Sequence, residues 1–578
     1  MHAVLLIFVG LMTQASTTAS SETAAERPTV VVVRHADFQK ALAPWVSHRQ
    51  SQGYDVRLVS NAGTPEQIRR RIRQVAPAER IKFLVLVGDM PTAMDGRRAK
   101  DLDPAAEARC VPAPYEEAKI IVRWGPERVI PNDAWYADLD DDGVPDVALG
   151  RLPVASPEQL ERVVAKILAY EKSTDFGPWR RQLNFVAGVG GFGPMIDMAI
   201  DRGTQHMLRS CIPADFRVSM TQANWQTAYC PDPRRINETT IDRLNDGAFF
   251  WTYMGHGQQH RLGGMKVPGA RYPLLANGDA SRLAAERGPS IALFLACYVG
   301  AIDSRPDCLA EELLRSPGGP VAVVASSRVA MPYSMAVMGM GLMEQVFERQ
   351  VPTLGEAMLH AKRGLVLPGK KTEVRTMVDS LASLVSPTAG KLDQERAEHV
   401  VLFNLIGDPC LRIRYPAPIT LTAAPDVDDR TRLVVEGRSP LAGRAVVELA
   451  RPLGKLGFPP PRRTAYPNSH DALAEFDATY LRANNSRVSA AELPVAAGAF
   501  RTELTLPDDL AGVYQVRAFV EGSDGFGSGT VEVRIGEMPE AAEPPATSEK
   551  ELSCTPKTKQ PKPTDFRPHV AAAGGSES

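Results

Sequence analysis

Residues 249–260 read FFWTYMGHGQQH and residues 291–303 read IALFLACYVGAID. Each block is an apolar, β-prone run, Ala248 to Tyr253 and Ile291 to Leu295, ending in a polar residue flanked by small ones. That is the pattern of a buried strand whose carboxyl end opens into a loop. In open parallel α/β sheets, reactive groups collect at those ends. The pattern therefore places His256 and Cys297 on neighbouring strand tips facing one pocket. A thiol beside an imidazole suits covalent acyl transfer. Glycine at 255 and 257 lets backbone approach a ligand closely. The N–H groups of Gly257 and Cys297 are candidates for an oxyanion hole. Each residue also has a plainer reading, since a cysteine after an apolar run is usually inert core and a histidine between glycines is often a loop residue. His260 follows four residues later, but HGQQH lacks the glutamate of a metallopeptidase helix and Gly257 is a poor helix former, so His260 reads as a loop residue.

Working outward, Thr29 opens an alternation of TVVVV, a helical stretch from Phe38 to Gln52, YDVRLVS, a helix from Thr64, and IKFLVLVGD ending at Asp89. This order implies a parallel sheet covered by helices on both faces. A helix over 156–172 is marked by Ser156 as cap and Pro157 at its first position. A second unit follows: NFVAGVGGFG, a helix over 194–208, a strand over 216–220 and a helix over 239–245 lead into the histidine strand. The glycines of GVGGFG lack the acid-tipped second strand of a dinucleotide site and are read as a turn. PVAVVASS and VLFNLIGDP supply later strands, the last ending at Gly407-Asp408-Pro409.

Between the units lies DLDDDGVPD, with Asp138, Asp140, Asp142 and Asp146 around Gly143. Alternating carboxylates before a glycine form the first part of a calcium loop. Leu149 stands where the loop's closing acid belongs, so it is not a full EF-hand. Four carboxylates this close favour a bound calcium ion as a structural element. No organic cofactor is indicated.

The 578 residues are 44% apolar and 23% charged with net charge −2, enough for two or three domains and without the basic bias of a nucleic-acid binder. The opening MHAVLLIFVGLMTQASTTASS reads as a secretory signal over 1–20, and no stretch is long and apolar enough to span a bilayer. A secreted, periplasmic or cell-surface monomer is expected. Seven cysteines leave at least one unpaired; Cys297 fits that role, and Cys211 and Cys230 are a possible disulfide. After Pro416, short alternating segments separated by Gly, Pro and Asp turns predict a β-sandwich over 416–536, followed by a disordered tail over 537–578. The α/β part divides into subdomains over 28–175 and 176–415.

YMGHG, LACYVGAID, CLAEELLRSPGGPVAVVASS and LIGDPCLRIRY resemble, in order and spacing, the gingipain family of caspase-like cysteine peptidases, from about Thr29 to Tyr415. The resemblance implies a secreted endopeptidase acting on polypeptides, with Cys297 as nucleophile, His256 as acid and base, and an immunoglobulin-like C-terminal domain. It implies an upstream acid that orients the histidine, with Asp89 the candidate and Asp101 or Asp103 as alternatives. A turn or capping role for Asp89 remains open. It also implies that Asp133 selects a basic P1 side chain, and that Met254 and Leu295 line the substrate cleft. A wall over 326–335 is implied, with Tyr333 the nearest aromatic. Two other functions share these features: a transpeptidase with the same nucleophile, and a non-enzymatic calcium-stiffened surface protein.

Overall fold

Ten strands form one sheet in the computed structural model, which describes residues 27–536 apart from 100–102, 189, 191–210, 370, 427, 428, 430, 468 and 509. The expected signal, most of the glycine run at 188–193, the helix at 194–208, Asp101 and the tail fall outside the described residues. The strands are β1 (Thr29–Arg34), β2 (Asp55–Ser60), β3 (Ile81–Val87), β4 (Ala148–Leu152), β5 (Gln182–Ala187), β6 (Arg217–Gln222), β7 (Phe250–Met254), β8 (Ile291–Leu295), β9 (Ala322–Ser326) and β10 (Phe403–Ile406). Their order is β2-β1-β3-β4-β10-β9-β8-β7-β5-β6. Every pairing is parallel except β9 with β10. The sheet runs unbroken through both expected subdomains, which meet where Ile406 of β10 pairs with Arg151 of β4.

The central strands are apolar along their whole length because helices cover both faces. Val30–Val33, Leu84–Val87, Ile291–Leu295 and Val321–Ala325 are all fully buried or nearly so. Helices begin where the sequence places them. Thr64 and Gln67 form a capping box ahead of α2 (Pro65–Val75), and the Ser156 hydroxyl accepts from Gln159 N ahead of α3 (Pro157–Lys172). On α1 (Gln39–Ser51), buried Arg49 donates to both Glu171 oxygens of α3, at 2.9 and 2.8 Å, and to Asp408 at the tip of β10. One fully buried cation thus ties two helices to the sheet.

The region after Pro416 holds two sheets. One orders as β11 (Ala417–Pro418), β18 (Phe526–Ile535), β17 (Gly512–Glu521), β14 (Gly443–Ala450) and β15 (Arg487–Val495); the other as β12 (Thr420–Pro425), β13 (Arg432–Ser439) and β16 (Gly498–Thr505). They share a core that includes Leu433, Val435, Val447, Val516 and Val533. One departure from the expected all-β texture is a helix at His470–Asn484. It leaves the β region to serve the large sheet. Asn484 Oδ1 accepts from Met220 N at 2.7 Å and its Nδ2 donates to Met220 O at 3.0 Å, so an amide side chain closes the exposed backbone of edge strand β6. Glu448 adds a second link, facing Arg181 of the α/β part at 3.6 Å while Arg487 donates to it at 2.9 Å.

The expected Cys211–Cys230 disulfide is not formed. Both are free thiols, and Cys230 is buried with its sulfur 3.8 Å from Met265 Sδ. Among the described residues all six cysteines are free.

Candidate active site

Register decides the geometry. β7 and β8 pair in parallel with Met254 opposite Leu295 as the last pair. His256 and Cys297 are therefore level, each two residues beyond that pair. Their backbones stay in contact past the sheet, since Gly255 N donates to Leu295 O at 3.2 Å. At 257 only glycine fits: a Cβ there would come within 2.4 Å of Cys297 O and 3.0 Å of Ala296 Cβ. The His256 carbonyl is pinned by Gly263 N at 2.7 Å and Tyr253 Oη at 2.8 Å. His260 is a half-buried turn residue whose Nε2 faces Pro306 O at 3.0 Å.

Cys297 is partly exposed. The turn that lifts it off the sheet is strained: Tyr298 has φ +62°, a conformation non-glycine residues seldom adopt. Tyr298 N donates to Arg328 O at 3.0 Å, and its hydroxyl donates to Glu127 Oε2 at 2.5 Å. Ala330 N donates to Cys297 Sγ at 3.3 Å, and the sulfur lies 3.7 Å from Ala330 O. Burial pushes the thiol above its ordinary value, while the N–H groups of Ala330 and of Cys297 itself pull it back down.

Asp89 keeps different company from that expected of an acid orienting His256. It is buried, accepts from its neighbour Met90 N at 2.7 Å, and lies 3.8 Å from Arg305. Its carboxyl oxygens fall within 4.8 Å of those of Asp307 and Glu311, in the segment after the nucleophile. Burial raises Asp89, Arg305 offsets this, and Asp307 adds to it. Asp103, the other described alternative, is an exposed helix cap, accepting from Ala106 N at 3.1 Å.

Asp133 does not face a substrate pocket as a free carboxylate. It is 3% exposed, and Arg151 Nε and Nη2 donate to its two oxygens at 2.7 and 2.6 Å. Arg151 also donates to the carbonyls of Gly88 and Val111, both at 2.9 Å. The pair is a structural bolt beneath the β3 tip. Leu295 is likewise core, 1% exposed and packed against Gly339, whereas Met254 is half-buried at the strand end. Tyr333 is buried with its hydroxyl donating to Asp379 Oδ1 at 2.9 Å.

In the acidic loop, oxygens of Asp138, Asp140 and Asp146 converge within 4.8 Å. Asp142 stands apart and accepts from Val144 N at 2.8 Å. Three convergent carboxylates fit a hard cation, and the loop is already part-neutralised by Arg69 on Asp138 and Asp141 and by Arg363 on Asp146.

Residues that the sequence left unnoticed are Glu127, Tyr298, Ala330 and His399. Tyr298 lies inside LACYVGAID and Ala330 inside the 326–335 wall, but neither residue type signals a role there, and Glu127 lies outside the quoted stretches. His399 lies in a stretch without a motif, 102 residues beyond the thiol.

Among known proteins, Lys-gingipain of Porphyromonas gingivalis strain ATCC 33277 and Lys-gingipain 381 of the same species are each 22% identical over 309 residues, 52% of this chain. The chain spans about 15% of the length of these curated relatives. A solved structure described as a protease superposes with a TM-score of 0.50 at 15% identity, covering 88% of this chain and 97% of that one. The Arg-specific cysteine proteinase gingipain R gives 0.47 at 16% identity, covering 89% and 99%. Peptidase family C25 matches residues 23–414, well over half the sequence, and the chain belongs to that family.

Proposed function

We propose that this chain is a cysteine endopeptidase. The observation that carries the reading is the β7–β8 register, which leaves His256 and Cys297 level, each two residues past the last strand pair, with the Gly257 backbone packed on Cys297. The thiol passes its proton to the imidazole and the thiolate attacks the scissile carbonyl carbon. The N–H groups of Gly257 and Cys297 hold the oxyanion. His256 returns the proton to the departing amine, leaving a thioester. It then takes a proton from water, which attacks the thioester and frees the acid and the thiol.

The name of the Lys-gingipain relatives supports a preference for a basic P1 residue. With Asp133 neutralised by Arg151, we assign the selecting charge to Glu127, whose Oε2 accepts at 2.5 Å from the hydroxyl of Tyr298, the residue that follows the nucleophile. Calcium bound by Asp138, Asp140 and Asp146 would fix the loop that follows Asp133. The C-terminal sheets are read as an immunoglobulin-like brace, and the chain as an exported monomer.

A peptide-library digest comparing the full chain with C297A tests this. Cleavage after Arg or Lys that vanishes in C297A is expected. Cleavage that survives C297A sinks the reading. An added amine captured in the products identifies transpeptidation as the outcome in place of hydrolysis.

A further inference from the structure

Ala330 touches the thiol, and what fixes Ala330 lies on another helix. Met331 caps α4 (Pro332–Met343) but its side chain makes no capping hydrogen bond, and Pro332 has no N–H to offer. The free N–H groups at this helix start are satisfied from outside, by the helix Leu392–Leu402. His399 Nε2 accepts from Met331 N at 2.9 Å, and Glu395 Oε1 accepts from Ser334 N at 3.0 Å. His399 is fully buried, and its Nδ1 is 2.7 Å from Glu395 O. These contacts fix the tautomer. A carbonyl can only accept, so Nδ1 carries the hydrogen; a backbone N–H can only donate, so Nε2 is bare. Burial pushes His399 down to about 4, keeping the ring neutral at neutral pH. The ring also stacks on Phe403, the first residue of β10, with centroids 6.2 Å apart.

We propose that His399 is a positioning residue for the nucleophile: by accepting the Met331 N–H it holds the Ala330 N–H on Cys297 Sγ, where that donor favours the thiolate. The inference rests on the peptidase reading. Without the acceptor, Met331 N is left buried and unpaired, the chain at 330–331 shifts to find a partner, and Ala330 N moves off the sulfur. A donor lost from a charged acceptor raises that acceptor's pKa.

The test is the rate of iodoacetamide alkylation of Cys297 as a function of pH in the full chain, located by peptide mapping, alongside peptide turnover. H399L removes the acceptor; H399Q keeps an oxygen near the Nε2 position. Expected for H399L is an alkylation midpoint about one pH unit higher, with kcat reduced about tenfold at neutral pH and KM little changed. H399Q should recover most of both. A folded H399L with an unshifted midpoint overturns the proposal while leaving the peptidase reading intact. A wild-type Cys297 that resists alkylation throughout overturns both. Should H399L not fold, H399N, whose side-chain amide stops short of the Nε2 position, removes the acceptor with a polar residue, and the same criteria apply.

Discussion

β3 and β8 are both apolar runs that end on small residues and then a polar one, yet their tips have different fates. At the β3 tip, Asp89 is buried beside Arg305, and the nearby Asp133 is saturated by Arg151. At the β8 tip, Cys297 is partly open, and its sulfur is met by the backbone N–H groups of Ala330 and of Cys297 itself. The two tips differ in charge compensation. Ionic groups near β3 are matched to arginines and serve as bolts, whereas a neutral thiol needs no counter-ion and stays available. A polar residue at a strand tip marks a place where chemistry can sit; its neighbours decide whether it does.

Four outcomes would break or sharpen that contrast. D133A should cost about 3–5 kcal/mol of stability, because it strands a buried guanidinium, and should leave the P1 preference of the folded fraction unchanged. Denaturant melts with P1 profiling check it, and a lost basic preference at intact stability would return Asp133 to the pocket.

Next is acid. The unfolded chain protonates histidine near 6.5 and the folded His399 only at about 4. Its contribution is thus fully present above pH 6.5, declines as pH falls, and levels off below about 4, a loss of about 3 kcal/mol. Glu395, raised by burial, titrates in the opposite sense, so the difference between wild type and H399Q isolates the imidazole. A pH-independent difference would contradict it.

E127Q should lower kcat/KM for P1 Arg or Lys by about tenfold or more and spare uncharged P1 residues. Equal loss for both classes would make Glu127 a mere prop for Tyr298. The smallest effect is expected for the acidic loop. D140N should remove most of a calcium-dependent gain in Tm of a few degrees, worth about 1 kcal/mol. A Tm indifferent to calcium in the wild type would leave the loop to its arginines.

Much of this was legible in the sequence because it is local. Ser156-Pro157 announces α3 by capping chemistry, and the runs ending at His256 and Cys297 announce strand tips by hydrophobic pattern. What was missed depends on partners distant in the chain. Nothing near Asp133 reveals that Arg151 closes on it, and nothing in His399 reveals that its ring meets Met331 N. The helix His470–Asn484 sits in an otherwise β-rich stretch because its job is on another sheet. The supposed Cys211–Cys230 bridge failed because proximity in sequence does not bring two sulfurs together.

The most direct test is a crystal structure of the full chain reacted with a peptidyl acyloxymethyl ketone ending in arginine. The expected result is a thioether at Cys297 Sγ, with a His256 ring nitrogen facing the bound carbonyl and the N–H groups of Gly257 and Cys297 on its oxygen. An adduct on another residue, or an imidazole turned away from the sulfur, would contradict it.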